Sequence, residues 1–418
     1  MGDKFLIEGQ KPLEGQVEIS GAKNDAGPVL AATLLTKEPC VIDNLPLVED
    51  VFCLLEVLRK MGADVEWLDK RKVKIQAVNL DPEKIDFDLI EKTRLSVLLI
   101  APLVSRFKNF KFARPGGDRI GLRPITTHLE ALKKLGVKIE KKGDFYFFKS
   151  EDLKGREIVL EEFSVTATEN LMMAASQIEG KTRILGAAAE PHVQDLGEIL
   201  KEMGVKIEGI GTHTIEIEGQ KNLKGVDRRV IPDYLEAGTF IVAGAVTPGT
   251  LEIKNVILDH LNIFLAKMEE IGVLFEKGKD SIKVSFSPNL KPVRVQALPW
   301  PGFPTDLLPI VVPLLTQAEG KSLIHDPLYE NRLNFVHELR KMGADIEVVD
   351  PHRALIFGKN ELSGIKISSW DIRAGASLII AALMAKGKTI IDNIYQVDRG
   401  YEKIDEKLRK LGAEIKRI

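Results

Sequence analysis

The sequence predicts an α/β protein of two lobes, each made of three repeats of a unit of roughly 70 residues. Three observations predict this: one phrase recurs six times, its copies are evenly spaced, and the last copy lacks a strand that the start of the chain can supply. The phrase is an amphipathic stretch, a glycine and an alternating strand. It reads LRKMGADVEW around Gly62, LKKLGVKIEK around Gly136, LKEMGVKIEG around Gly204, MEEIGVLFEK around Gly272, LRKMGADIEV around Gly343 and LRKLGAEIKR around Gly412. Successive glycines stand 74, 68, 68, 71 and 69 residues apart, the regularity of a repeat architecture.

Each element of the unit follows from local pattern. Before the first glycine, Val51, Leu54, Leu55, Leu58 and Met61 recur at helical spacing, and the glycine falls where a left-handed cap ends a helix. After it comes period-two alternation, clear in Ile215 and Ile217 or in Ile282, Val284 and Phe286. The other half of the unit is an apolar run, a Gly or Pro turn and a strand, as in LMMAASQIEGKTRILG, FIVAGAVTPGTLEIKN and LIIAALMAKGKTIIDN. The sixth copy stops at Ile418, before its last alternating strand. Phe5 to Gly9, FLIEG, resembles that strand as it stands in TIEIEG at Thr214 to Gly219, so the first strand is expected to complete the last repeat. The lobes are then residues 21–230, carrying repeats one to three and the glycine-rich loop described below, and residues 1–20 plus 231–418, carrying repeats four to six.

Composition bounds the function. The 418 residues suit two or three domains, and 59 basic against 61 acidic residues leave a net charge of −2, which gives no long-range pull on nucleic acid. Two cysteines, Cys40 and Cys53, build no disulfide framework, and the seven histidines show no metal-ligand spacing. No apolar stretch is long enough for a signal peptide or membrane span, so a cytoplasmic protein is expected. There is no P-loop and no dinucleotide fingerprint.

Copies of a repeat share a scaffold, so residues peculiar to one copy are candidates for chemistry. SGAKNDAG places Lys23 and Asn24 at a loop-to-helix junction, where a solvated lysine and an N-cap asparagine are the plain alternative. KTRLS holds Arg94, and RPGGDRIGLRP holds Asp118, Arg119 and Arg123 behind Gly116 and Gly117. FPTD, YENR, DIR and DRGYE add Asp306, Arg332, Asp371, Arg373 and Arg399. Isolated arginines are usually surface pairs of little worth, but guanidiniums converging in a cleft bind carboxylate and phosphate bidentately. A small, multiply anionic substrate is therefore expected, in a cleft between the lobes.

With these motifs in order from ISGAKN to DRGYE, the chain resembles the UDP-N-acetylglucosamine enolpyruvyl transferase (1-carboxyvinyltransferase) family over essentially its whole length. The resemblance implies the enolpyruvyl transferase fold, a two-lobed inside-out α/β barrel. It implies transfer of the enolpyruvyl group of phosphoenolpyruvate to the sugar 3′-hydroxyl of UDP-N-acetylglucosamine with release of phosphate, in peptidoglycan precursor synthesis and with no metal or organic cofactor. By motif position, Lys23, Asn24, Arg123, Arg332, Arg373 and Arg399 look like the phosphoenolpyruvate contacts. Arg94, the stretch Arg123, Pro124, Ile125, Thr126 and Thr127, and Ser164, Val165, Asp306 and Leu328 fall on nucleotide-sugar positions. Asp306 matches the carboxylate at the 3′-hydroxyl, and Lys23, Asp118 and Asp306 fall on the catalytic positions.

The chain departs from the family at three places. Most members carry Cys where this one has Asp118, some have Asp, and the resemblance assigns the proton donor to this residue. A carboxyl in that role must be held protonated, and it would escape the thiolate alkylation by which fosfomycin acts. A family lysine near the diphosphate falls at Glu162, with the neighbouring turn glycine replaced by Thr166, and a basic position of the first lobe falls near Glu49. The alternatives are enolpyruvyl transfer to another acceptor such as shikimate phosphate, or a catalytically silent paralogue.

Overall fold

The computed structural model describes residues 4–118 and 120–418, which divide into two compact units. One contains Gly21–Gly117 and Arg123–Ile231; the other contains the chain up to Ser20, Asp118–Leu122 and Pro232–Ile418. We call them the first and second unit.

Among the described residues, five sheets of one design and a sixth, three-stranded one make up the fold. In the design a parallel pair of strands is followed by two antiparallel ones, as in Glu157–Val159, Lys181–Leu185, Thr214–Glu218 and Lys206–Glu208. The repeat holding Gly136 has only the three antiparallel strands Asn109–Ala113, Phe145–Lys149 and Lys138–Lys142 among the described residues. All six repeat glycines have positive φ, from 93° to 108°, the left-handed conformation that stops a helix and that side chains disfavour.

Three strands travel far along the sequence to complete a sheet. Phe5–Glu8 lies antiparallel between Lys388–Asp392 and Glu414–Arg417, in the place that Thr214–Glu218 fills in its own sheet, as expected for the sixth repeat. Gly15–Glu18 runs parallel to Thr250–Lys254 and opens the fourth sheet. In the first unit Asp227–Arg229 runs parallel to Cys40–Asp43 and opens the first sheet. Each unit is thus closed by hydrogen bonds between its sequence extremes.

Each unit has its own apolar core. The helices Tyr234–Val246, Leu308–Leu315 and Ile372–Met384 of the second unit pack on one another and are buried almost all round, which is why they are apolar on every face. Helices such as Glu49–Lys60 and Pro191–Glu202 bury one side only and keep the amphipathic spacing by which the repeat is recognised.

One finding differs from the expected lobes. The glycine-rich loop was expected to belong with residues 21–230, yet Asp118–Leu122 group with the second unit. The physical reason is a set of bonds in that unit: Arg399 to Asp118, the Asn331 N–H to the Ile120 carbonyl, and the Leu122 N–H to Glu330.

Candidate active site

The second unit gathers four carboxylates and three arginines that lie far apart in sequence. Asp371 is the N-cap of Ile372–Met384, accepting the N–H groups of Arg373 and Ala374 at 2.8 and 2.9 Å, and so starts the helix that carries Arg373. Arg373 Nε donates to Asp306 Oδ2 at 3.1 Å, and Arg332 Nη2 donates to Asp306 Oδ1 at 2.8 Å. Both Asp306 oxygens therefore face a guanidinium. Arg399 Nη1 donates to Asp118 Oδ1 at 2.6 Å and to Gln396 Oε1 at 3.0 Å.

All three guanidinium groups are buried, the most accessible arginine being 5% exposed. Burial opposes the charge of Arg332 and of Arg373, but anionic and aromatic neighbours outweigh it. Asp306, Asp371 and Asp326 hold Arg332 above its ordinary pKa. Tyr401, Asp306 and Asp233 hold Arg373 higher still, and its guanidinium lies 5.1 Å from the Tyr401 ring centre. Among the described residues, Arg373 Nη1 is buried without a hydrogen-bond partner. Burial also pushes the Asp371 carboxyl up, Arg332 opposing and Asp118 adding to the shift.

Asp326, which sequence reasoning missed, organises this region. Fully buried, it accepts the Thr305 hydroxyl at 2.5 Å and the N–H groups of Leu328 and Tyr329 at 2.9 and 3.2 Å. It thereby ties FPTD to YENR. The Asp-Pro pair at 326–327 was the available signal, since Asp before Pro favours a turn in which its side chain bonds the backbone two or three residues on.

In the first unit the plain alternative for Lys23 and Asn24 is overturned. Lys23 opens the helix Lys23–Ala32, whose N-cap is Ala22, so Asn24 is no cap. Lys23 is buried, and its Nζ lies 3.1 Å from the buried Asp50 Oδ2. Glu49, next to Asp50, is an exposed residue in the first turn of Glu49–Lys60.

Gly116 and Gly117 are required by close approach. A Cβ at Gly116 would lie 1.7 Å from the Glu91 carbonyl oxygen; one at Gly117, where φ is +124°, would lie 2.8 Å from Arg94 Cβ. Arg94 Nη2 donates to the Pro124 carbonyl at 3.3 Å, and Arg123 itself has a left-handed φ of 42°. Arg94, Arg123 and the turn at Pro124 and Ile125 are thus held together ahead of the helix Thr126–Lys134.

That helix is braced to the next turn at two points. The Thr127 hydroxyl donates to the Glu162 carboxylate, and His128 Nε2 lies 2.8 Å from Thr166 Oγ1. Burial, and then Arg94 and Arg123, push the His128 pKa down to about 3, so the ring is neutral and adds no cation. Ser164 is the N-cap of Val165–Ala175, accepting the Ala167 N–H at 3.4 Å. Of the nucleotide-sugar candidates, Leu328 and Asp306 lie in the second unit and the others in the first. Among the described residues, no group of three or more His, Cys, Asp or Glu side chains is placed to hold a metal ion.

Six related sheets in two self-closed units, with buried arginines set against aspartates at helix starts and loop ends, are what the resemblance to the enolpyruvyl transferases implies, and the comparisons with known proteins show that class. The model of the family described as EPSP synthase (3-phosphoshikimate 1-carboxyvinyltransferase) matches residues 7–408. UDP-N-acetylglucosamine 1-carboxyvinyltransferase of Koribacter versatilis is 45% identical, over 100% of this chain and 96% of its own length. UDP-N-acetylglucosamine 1-carboxyvinyltransferase 1 of Carboxydothermus hydrogenoformans is 44% identical, over 100% and 98%. Among solved structures, the enolpyruvyl transferase NikO of Streptomyces tendae superposes with a TM-score of 0.92 at 26% identity, covering 100% of this chain and 99% of that one. EPSP synthase of Acinetobacter baumannii, at 0.77 and 18% identity with full coverage of both chains, is a likeness of fold. The chain belongs to the carboxyvinyltransferase family that these relatives define.

Proposed function

We propose that this protein transfers the enolpyruvyl group of phosphoenolpyruvate to the 3′-hydroxyl of UDP-N-acetylglucosamine, releasing phosphate, as a step of peptidoglycan precursor synthesis. The observation that carries the site assignment is the Arg399–Asp118 bond, which sets the loop carboxyl against a buried cation in the second unit. The relatives' shared name supports the choice of acceptor. The reaction is addition followed by elimination. The sugar hydroxyl oxygen bonds to C2 of phosphoenolpyruvate and gives its proton to a base, while Asp118 protonates C3 to a methyl group. The methyl group then loses a proton, the double bond re-forms, and phosphate leaves with its bonding pair.

In this proposal Lys23, Asn24, Arg123, Arg332, Arg373 and Arg399 bind the doubly anionic donor, and Asp306 accepts from the sugar hydroxyl. Arg94, Pro124, Ile125, Thr126, Thr127, Ser164, Val165 and Leu328 hold the nucleotide sugar. Asp118 accepts from Arg399, and an anionic substrate that takes Arg399 for itself would free the Asp118 carboxyl to face C3. A carboxyl at this position also gives resistance to fosfomycin.

Phosphate release with phosphoenolpyruvate and either UDP-N-acetylglucosamine or shikimate 3-phosphate tests the proposal. Release dependent on the UDP-sugar alone is expected. Turnover with shikimate phosphate instead, or none with either acceptor despite tight UDP-sugar binding, overturns it.

A further inference from the structure

Asp118 meets Arg399, and shortly after it in the chain the residues Ile120, Gly121 and Leu122 meet the segment Tyr329–Arg332, with hydrogen bonds at two points. The Asn331 N–H donates to the Ile120 carbonyl at 3.1 Å, and Ile120 is itself buried. The Leu122 N–H donates to Glu330 Oε1 at 2.9 Å. Between these bonds, Gly121 passes so close that a Cβ there would stand 2.4 Å from Glu330 Oε2. The Glu330 carboxylate therefore sits on the loop backbone with no room for a side chain in between. Two residues on, Arg332 grips Asp306, so one short segment holds the loop on one side and the FPTD carboxylate on the other.

We propose that Glu330 is a positioning residue for the reaction: its carboxylate pins the loop at Gly121–Leu122 and thereby fixes where Asp118 is presented. This rests on the reading of Asp118 as proton donor, and it names a residue that touches neither substrate in that reading. Several features favour positioning over an incidental surface contact. The bond joins residues 208 positions apart, is made to a backbone donor, and is flanked by a second bond in the same register. The N–H groups of Glu330 itself and of Leu122 also hold the Glu330 carboxyl below the usual carboxylate range, so it remains the acceptor at neutral pH.

The test uses the full-length protein and two readouts. Hydrogen exchange of the Leu122 amide is followed in wild type, Glu330→Ala, Glu330→Gln and Gly121→Ala, and steady-state phosphate release is measured for each. Glu330→Ala and Gly121→Ala are expected to speed exchange at Leu122 about tenfold or more and to lower kcat at least tenfold, with the KM for UDP-N-acetylglucosamine within about threefold of wild type. Glu330→Gln, which keeps an acceptor oxygen, is expected to recover most of both. Unchanged Leu122 exchange in Glu330→Ala, or faster exchange with wild-type kcat, overturns the proposal. Failure of the functional reading shows separately, as wild type that does not turn over phosphoenolpyruvate with UDP-N-acetylglucosamine; the exchange of Leu122 then decides by itself whether Glu330 pins the loop.

Discussion

The guanidinium of Arg399 donates to the carboxylate of Asp118 at 2.6 Å, across 281 positions of sequence. The loop acid and Arg399 thus meet inside one unit, although the chain on both sides of the loop belongs to the other. Five expectations follow, three from this bond and two from buried titratable groups of the first unit.

Asp118→Asn keeps the side chain's shape and one acceptor but removes the transferable proton. Turnover is expected to fall by roughly 10²–10⁴-fold, the usual worth of a positioned general acid. Affinity for UDP-N-acetylglucosamine, measured by calorimetry, is expected to change little. Near-wild-type phosphate release would mean that another group supplies the proton.

Fosfomycin needs a strong nucleophile, which a carboxylate is not. Intact-mass analysis after prolonged incubation is expected to find wild type unmodified and Asp118→Cys carrying one adduct. A stoichiometric adduct on Asp118 in wild type would contradict the assignment.

Arg399→Ala removes a charged hydrogen-bond donor from the donor-substrate side. A loss of about 1.5–3 kcal/mol for such a bond corresponds to a roughly 10–100-fold rise in the KM for phosphoenolpyruvate. The KM for the UDP-sugar is expected to move less than about threefold. Equal rises in both would show that Arg399 does not select between them.

His128 is neutral when folded, with a pKa of about 3, whereas an unfolded histidine titrates near 6.5. Between those values the unfolded chain holds a proton that the folded chain does not, so stability falls as pH drops through this window. Urea unfolding is expected to lose roughly 2–3 kcal/mol from this residue between pH 7 and 4.5. His128→Gln should flatten that slope; an unchanged slope would place the cause elsewhere.

Asp25 behaves with the opposite sign. Burial, with Asp195 beside it, pushes its carboxyl well above the usual range, while its Oδ2 accepts the Ile231 N–H at 3.0 Å. A proton held more tightly in the folded state contributes stability that is lost as pH rises from the ordinary carboxylate range through the folded pKa. Asp25→Asn keeps the acceptor without the titration and is expected to be at least as stable as wild type at pH 8. Asp25→Ala strands the Ile231 N–H and is expected to lose about 1–3 kcal/mol. The reverse order in urea unfolding would refute the account.

The sequence alone determined the repeat. Glycines at a fixed period and apolar residues at helical or alternating spacing are local signals, because a left-handed cap or a half-buried strand constrains its own few residues. For the same reason FLIEG could be matched to the sixth sheet: a strand's pattern records which face it buries, wherever it lies in the chain. The arginines could be singled out, but not their partners. That Lys23 is buried on Asp50, that Asp306 is shared by Arg332 and Arg373, and that Asp118 crosses to Arg399 were decided by tertiary structure. Burying a charge is costly unless an opposite charge meets it, and which one meets it depends on how distant strands close each unit rather than on the residues beside it in sequence.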